Sequence, residues 1–406
     1  MYSLAIYFYM FCVDIVSLFN TKARLLVRGH KDTYRILRKH IHPDEKYIWF
    51  HAASLGEFEQ GRPLIEKVRT EYPNHKILLT FFSPSGYEVR KNYAGADVVC
   101  YLPFDTPLNA RKFIRLAHPS MAFFIKYEFW MNYLNILRKK GIPAYSVSSI
   151  FRENQIFFRW YGKYYSRVLQ RFTHFFVQNE FSRELLARKG ITNVSVVGDT
   201  RFDRVIDIRH EAKDIPLIAG FSTGNHVLVA GSSWAPDEDI IIPYFNNTPG
   251  LKLIMAPHVV SEEHLAEIEN KLKRPSVRFT KADIHKIQQA DCILIDCYGL
   301  LSSIYRYGQI AYIGGGFGTG IHNVPEAAVY NVPVIIGPNN KKFREAQALL
   351  ANGGCKEIQS EDDFNRIMNT LLSDKKALQT AGDAAGTYIR ENAGATEAIF
   401  NSIEWL

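Results

Sequence analysis

Two short stretches of this sequence combine residue types that can do chemistry. In HAASLGEFEQGRPLIEKVR, residues 51–69, an apolar run stops at His51 and a helical pattern begins near Glu57. Ala52, Ala53, Ser54 and Gly56 are small enough for a ligand to approach the backbone, and the free N–H groups of a new helix can bind an anion there. Glu57 falls in the first helical turn, where a carboxylate can serve as a general base; an acidic residue that only complements the helix dipole would occupy the same place. In IAYIGGGFGTGIHNVPEAAVYNVPVIIGP, residues 310–338, an apolar strand pattern runs into Gly314, Gly315, Gly316, Gly318 and Gly320, after which His322, Asn323, Val324, Pro325 and Glu326 open a helix. A glycine-rich loop before a helix suits a phosphate or a nucleotide, and a carboxylate at Glu326 can accept from both ribose hydroxyls. The spacing is not the GxGxxG dinucleotide fingerprint.

Both stretches need strands that end where the chemistry lies. Short β-branched and aromatic runs at 47–51, 76–81, 97–102, 121–125, 144–147 and 174–178 alternate with helical periodicity at 58–71, 107–118, 129–140 and 180–189, several closed by glycine. The rhythm breaks between Arg204 and Gly224 and restarts with strand runs at 226–230, 251–255, 292–295, 310–313 and 333–336. Strand and helix in alternation mean a parallel sheet covered on both faces, here twice over. A length of 406 residues fits two such domains. Doubly wound domains facing each other hold ligands at the carboxyl ends of their strands, in the cleft between them.

The composition, 47% hydrophobic and 22% charged, excludes a disordered chain, and a net charge of +8 suits a phosphate-bearing substrate, an anionic membrane surface or nucleic acid. Five cysteines (Cys12, Cys100, Cys292, Cys297 and Cys355) without a CxxC pair indicate a reduced, cytosolic setting, and no histidine spacing calls for a metal. Residues 1–19 are nearly all apolar, and seven Lys or Arg against Asp32 alone follow between Asn20 and His42. That order of charge is the reverse of a secretory signal and reads as an anchoring helix, spanning or interfacial, with the body on the cytosolic side. Residues 151–171 interleave Arg152, Arg159, Lys163, Arg167 and Arg171 with Phe157, Phe158, Trp160, Tyr161, Tyr164 and Tyr165. The mixture suits a membrane landing surface, or else an amphipathic helix whose aromatics pack inward.

HAASLGE with EQGRPLIEKVR, KYEFWMN at 126–132, QNE at 178–180, GDTRFD at 198–203 and GGGFGTGIHNVPEA at 314–327 together resemble the Kdo (3-deoxy-manno-octulosonic acid) transferases of lipopolysaccharide synthesis, in order and spacing along nearly the whole chain. The resemblance implies a GT-B α/β fold of two facing doubly wound, Rossmann-like domains with an N-terminal apolar membrane-anchoring helix. It implies an inverting, metal-independent glycosyltransferase, without cofactor, that moves Kdo from its donor CMP-Kdo to the lipid A precursor lipid IVA at the cytoplasmic face of the inner membrane. Its partners would be CMP-Kdo, the lipid A precursor and an anionic membrane surface, with no nucleic acid. The domains expected are 1–20 for the anchor, 21–208 for the acceptor, 209–385 for the CMP-sugar, and 386–406 as a helix crossing back.

Carried over by position, Glu57 matches the family's catalytic base, and Lys126 and Arg201 match two positions that stabilise the transition state. Ser54, Gly56, Glu128 and Arg152 are expected to bind substrate. Pro257, His258, Tyr298, Gly299, Leu300, Gly315, Gly316, Asn323, Val324, Pro325 and Glu326 fall to CMP. The chain departs from the family twice: Lys126 stands where Glu is usual, with Glu128 two residues on, and GIHNVPE replaces GGHNPLE. A nucleotide-sugar epimerase and a non-catalytic receptor for anionic glycolipid are the rival readings of the same architecture.

Overall fold

The computed structural model describes residues 2–405, which form two α/β units: residues 2–204 with 393–405, and residues 205–392. The first unit is built on a seven-stranded parallel sheet. Its strands are β1 (Tyr47–Ala52), β2 (Lys76–Phe81), β3 (Val98–Tyr101), β4 (Pro119–Ile125), β5 (Ala144–Ser149), β6 (His174–Val177) and β7 (Val194–Val196), in spatial order 3-2-1-4-5-6-7. The second carries β8 (His226–Ser233), β9 (Leu251–Pro257), β10 (Ser276–Arg278), β11 (Cys292–Leu294), β12 (Ile310–Ile313), β13 (Val334–Ile336) and β14 (Cys355–Glu357), in order 10-11-9-8-12-13-14. All neighbouring strands run parallel. Helices cover both faces, so central strands such as β1 are buried at every position and apolar but for His51 near its end.

Each strand order reverses direction once, between β1 and β4 in the first unit and between β8 and β12 in the second. There the connections leave to opposite faces and open a crevice at the carboxyl ends of the two strands. The crevice of the first unit is bordered by residues 53–57 after β1 and 126–130 after β4. That of the second is bordered by Trp234 after β8 and Gly314 after β12. Both chemistry-bearing stretches therefore sit where a doubly wound sheet binds its ligands.

Helix α1 (Tyr2–Val16) buries no residue fully and leads through Asn20, the N-cap, into the basic helix α2 (Thr21–His40). Among the described residues no helix is long and apolar enough to cross a membrane. Helix α3 (Leu55–Glu71) follows β1 and carries Glu57. The C-terminal residues pack into the first unit: Ile399 and Ile403 join its core, Trp405 stacks on Tyr72 and Phe123, and Asp203 accepts from the Thr396 backbone at 2.6 Å.

Residues 151–171 are not one amphipathic helix. They fold into 3-10 turns at Ile156–Phe158, Trp160–Gly162 and Leu169–Arg171 around a single helical turn at Lys163–Ser166. Gly162 explains the break, because a Cβ there would lie 1.6 Å from the Ile156 carbonyl oxygen and the chain doubles back against itself. The aromatics are divided: Phe157 is buried and Phe158 and Tyr165 pack against the core, whereas Trp160, Tyr161 and Tyr164 are exposed.

Candidate functional site

Helix α3 begins at Ser54, whose extended backbone (φ −139°, ψ 173°) makes it the N-cap and leaves Glu57 as the third helical residue. The Glu57 carboxylate turns back over the helix start, where its Oε2 accepts from the backbone N–H of Ala53 at 2.6 Å and of Ser54 at 3.2 Å. The small-residue turn is thus a carboxylate cradle. Burial, and then the nearby charge of Glu128, outweigh the Ala53 N–H, the Lys126 ammonium and the Ser54 N–H, which lower it, and leave the Glu57 pKa raised to about 7. The carboxyl group is held near neutrality, the range in which a general base works best at cellular pH.

Lys126 and Glu128 reach this place from the end of β4. Lys126 adopts φ +66°, an uncommon conformation for a residue with a side chain, pinned by its N–H to Val147 at 2.8 Å and by the Ser149 hydroxyl on its carbonyl at 2.9 Å. Glu128 is buried, and its Oε2 accepts from Trp130 Nε1 at 2.6 Å and lies 3.0 Å from His51 Nε2. The Trp130 indole N–H also lies 3.1 Å from His51 Nε2, so Trp130, His51 and Glu128 form one polar triangle. On its other side His51 Nδ1 meets the Thr80 hydroxyl at 2.8 Å, and that hydroxyl also takes the Trp49 indole N–H at 2.8 Å. A fully buried chain of polar groups thereby fixes Glu128 from behind.

Arg201 is positioned from the other end of the unit. Asp199, buried, accepts from Arg201 Nε at 2.9 Å and from the Gln60 amide at 3.1 Å, and Thr200 donates to the Gln60 carbonyl at 2.5 Å. Gln60 lies one turn of α3 beyond Glu57, so the GDTR segment is locked to the helix that carries Glu57. Arg152 is exposed and bonds through its backbone to Gln155, and no hydrogen bond or ion pair among the described residues joins it to this group.

In the second unit, Asp237 organises the glycine loop. Its carboxylate accepts from the Gly315 N–H and the Trp234 N–H, each at 2.9 Å, and from the Tyr312 hydroxyl at 2.7 Å. Gly315 needs its missing side chain: φ is +91° and a Cβ would lie 2.4 Å from the Gly320 carbonyl oxygen. Gly316 packs directly on Gly337. A small cavity of about 180 Å³ lies between Trp234, Asp237 and Gly315 on one side and Phe317 to Thr319 on the other.

His258 sits at the end of β9 after Pro257, stacked between Trp234 (4.6 Å) and His322 (4.5 Å). The Trp234 indole, which can only donate, gives its N–H to His322 Nε2 at 3.2 Å, so that nitrogen is unprotonated. Burial, and then His258, hold the His322 pKa below its ordinary value. The Tyr298 hydroxyl accepts from the Val260 N–H at 3.2 Å, and Asn323 donates to Glu326 at 2.7 Å. Gly299 takes φ +87° and Leu300 caps a short helix at Leu301–Ile304. The segments around His258, Tyr298 and His322 are thus gathered at the carboxyl ends of β9, β11 and β12. The helix after Val324 is a single turn, Pro325–Ala328.

A sequence profile of the family described as 3-deoxy-D-manno-octulosonic-acid transferase (kdotransferase) matches residues 28–204, the stretch that holds Glu57, Lys126, Glu128 and Arg201. The 3-deoxy-D-manno-octulosonic acid transferase of Aquifex aeolicus is 28% identical over 340 residues, 82% of this chain and 88% of its own. The chain is a relative of the Kdo transferases. The Kdo transferase of Haemophilus influenzae is 24% identical over 89% of this chain and 87% of its own. Among solved structures, UDP-GlcNAc 2-epimerase from Neisseria meningitidis bound to UDP-GlcNAc superposes with a TM-score of 0.62 over 88% of this chain and 99% of its own, at 14% identity. That likeness is one of fold, a GT-B-like pair of doubly wound domains.

His51, Trp130, Thr80, Gln60 and Asp199 in the first unit, and Trp234 and Asp237 in the second, complete the two sites without standing among the residues that the sequence assigns a role in the chemistry, and His322, noted there only in the glycine-rich stretch, joins them. Asp237 had a usable signal: with Pro236 before it, it reads as the third residue of a helix that starts at a strand end.

Proposed function

We propose that this chain transfers Kdo from CMP-Kdo to a lipid A precursor such as lipid IVA in lipopolysaccharide synthesis, with inversion at the anomeric carbon and Glu57 as general base. One observation carries the reading: within the stretch matched by the Kdo transferase profile, at the crevice of a doubly wound sheet, a carboxyl group is cradled with its pKa raised to about 7. In the proposed step an acceptor hydroxyl oxygen bonds to the anomeric carbon, the bond from that carbon to the CMP phosphate oxygen breaks, and the hydroxyl proton passes to Glu57. The departing phosphate gains negative charge, which Arg201 and Lys126 would balance electrostatically. In the second unit, the segments at Pro257–His258, Tyr298–Leu300, Gly315–Gly316 and Asn323–Glu326 would hold the CMP moiety, with Trp234 and His322 as added members. No cofactor enters this step. The work would take place at the cytoplasmic face of the inner membrane, with α1 in contact with lipid.

The test is incubation of the purified protein with CMP-Kdo and lipid A precursor, reading the lipid mass. Growth of the lipid by one or more Kdo masses is the expected result. An unchanged lipid with an epimerised sugar nucleotide would replace the reading by the epimerase chemistry that the shared fold also hosts.

A further inference from the structure

A parallel strand buried on both faces is ordinarily apolar, yet β5 reads AYSVSS, and its Ser146, Ser148 and Ser149 are all buried. The pairing of β5 with β6 slips between Ser146 and Ser149, and Ser148 takes φ +54°. Lys126, at the end of the neighbouring β4, takes φ +66°. Such backbone is costly for a residue with a side chain and persists only where the surroundings enforce it. Two adjacent strand ends carry it here, beside Glu57.

The serine hydroxyls supply the enforcement. Ser149 donates to the Lys126 carbonyl at 2.9 Å, so in its contact with the Ser146 hydroxyl it is Ser146 that donates. Val147 accepts the Lys126 N–H at 2.8 Å, and both backbone groups of Lys126 are thus held by β5. Ser148 serves a different segment. Thr200 commits its one hydroxyl proton to the Gln60 carbonyl at 2.5 Å, so the Ser148 hydroxyl donates to Thr200 Oγ1 at 2.9 Å while accepting the Thr200 N–H at 3.2 Å. Gln178, the first residue of the QNE segment, closes the bulge: its side-chain amide donates to the Ser148 carbonyl at 3.0 Å and its N–H to the Ser149 carbonyl at 2.9 Å. Thr200 directly precedes Arg201, and Gln60 lies on the helix of Glu57.

We infer that Ser148 and Ser149 are positioning residues, a bracket at the end of β5 that sets Lys126 and Arg201 relative to each other; this deepens the reading above and rests on it for the roles of the two cations. Each side of the bracket is one hydroxyl, and the two hydroxyls stand on adjacent residues of a bulge that Gln178 holds shut. A disturbance on one side is thereby passed to the other.

Ser149→Ala cuts the bond to the Lys126 carbonyl, and Ser148→Ala cuts the bonds to Thr200. Ser148→Gly, which suits the positive φ, takes the place of the alanine variant if that one does not fold. Ser120→Ala is the control, because the Ser120 hydroxyl bonds the Tyr47 carbonyl at 3.0 Å at the opposite end of the same sheet. Amide exchange resolved by residue in the full chain reads the bracket without any substrate. Exchange is expected to quicken about ten-fold at both Lys126 and Thr200 in each variant, with the β1 amides as in wild type. Quickening confined to the residue whose own bond was cut would overturn the bracket. In Kdo transfer, kcat is expected to fall by about 10- to 100-fold in either variant, with KM for CMP-Kdo within about two-fold of wild type and Ser120→Ala unchanged in both. A loss shared by Ser120→Ala, or one carried by KM, would also overturn it. A wild type that transfers no Kdo overturns the reading above instead, and the exchange result then decides the bracket alone.

Discussion

His51 Nε2 and Glu128 Oε2 lie 3.0 Å apart, both buried behind the carboxylate of Glu57. His51 belongs to the last turn of a central strand and Glu128 to the loop after its neighbour, so the sheet itself sets their separation. Glu128 raises the Glu57 pKa by its charge, while the Lys126 ammonium pulls the other way. The Glu57 carboxyl is thereby tuned by two neighbours from the end of β4.

Glu128→Gln removes that charge and leaves the side-chain shape. The Glu57 pKa should fall from about 7 toward the ordinary carboxylate range, since Lys126 and the two backbone N–H groups then act unopposed by a neighbouring anion. The acid limb of kcat/KM against pH should move down by roughly 0.5–1 unit. An acid limb that stays near pH 7 would mean that Glu128 does not face Glu57 in the working enzyme.

Glu57→Gln separates catalysis from stability. Loss of the base should lower kcat by about 10²–10⁴-fold while CMP binding, measured by calorimetry, stays near wild type. The stability effect has the opposite sign. A carboxyl with a folded pKa near 7 and an unfolded value near 4.5 costs the fold nothing below pH 4.5, costs progressively more between 4.5 and 7, and a constant amount above. Discounted for its partial exposure, the glutamine variant should gain about 1 kcal/mol at pH 8 and nothing at pH 4. Denaturant unfolding at the two pH values reads this directly.

Much of this frame is legible from the chain. The central strands announce themselves because a strand buried on both faces must be apolar throughout, and β2 and β12 begin and end where the pattern says. The strands β7, β10 and β14 escape notice for the converse reason: each has three residues at or near a sheet edge and carries Ser195, Arg278 or Lys356 where an apolar residue would signal burial. Glu57 shows in sequence because strand end, small turn and helix start are all local. The contact from Gln60 to Asp199 spans 139 residues and leaves no local trace, so the anchoring of Arg201 emerges only when the sheet is assembled. The 151–171 segment misleads for a different reason, since its aromatic spacing fits a helix but the approach of Gly162 to the Ile156 carbonyl decides otherwise.

Gly315→Ala tests the nucleotide loop without touching a polar group. The added methyl would meet the Gly320 carbonyl at 2.4 Å in a conformation that already disfavours a side chain. The loop must shift, and with it the Gly315 N–H held by Asp237. CMP affinity should drop at least ten-fold, about 1.4 kcal/mol, with the sheet intact by circular dichroism. Unchanged affinity would place the nucleotide away from this loop.

Among the described residues, two hydrogen bonds tie the start of α1 to the rest of the first unit, the longer from Asn132 Nδ2 to the Ser3 hydroxyl at 3.4 Å. The Tyr2 hydroxyl donates to Asp105 Oδ2 at 2.7 Å, and the same carboxylate accepts from the backbone N–H groups of Asn132 at 2.9 Å and Tyr133 at 3.0 Å. Burial lifts the Asp105 pKa to about 6, against the three donors that hold its charge. Tyr2→Phe removes one of those donors and keeps the ring on Tyr165. Asp105 retains its backbone partners, so global stability should fall by only about 1–2 kcal/mol, the cost of one hydrogen bond to a charged group. The local effect is larger, because α1 buries no residue fully and is otherwise held by partly buried side chains, Ile6, Met10 and Val13 against the Leu26–Tyr101–Phe104 cluster and Tyr9 on Phe104, and by the Asn132–Ser3 hydrogen bond. Amide exchange along residues 2–16 should therefore accelerate at least ten-fold in Tyr2→Phe while the β1 and β4 amides exchange as in wild type. Equal exchange in both proteins would show that the remaining contacts carry the helix.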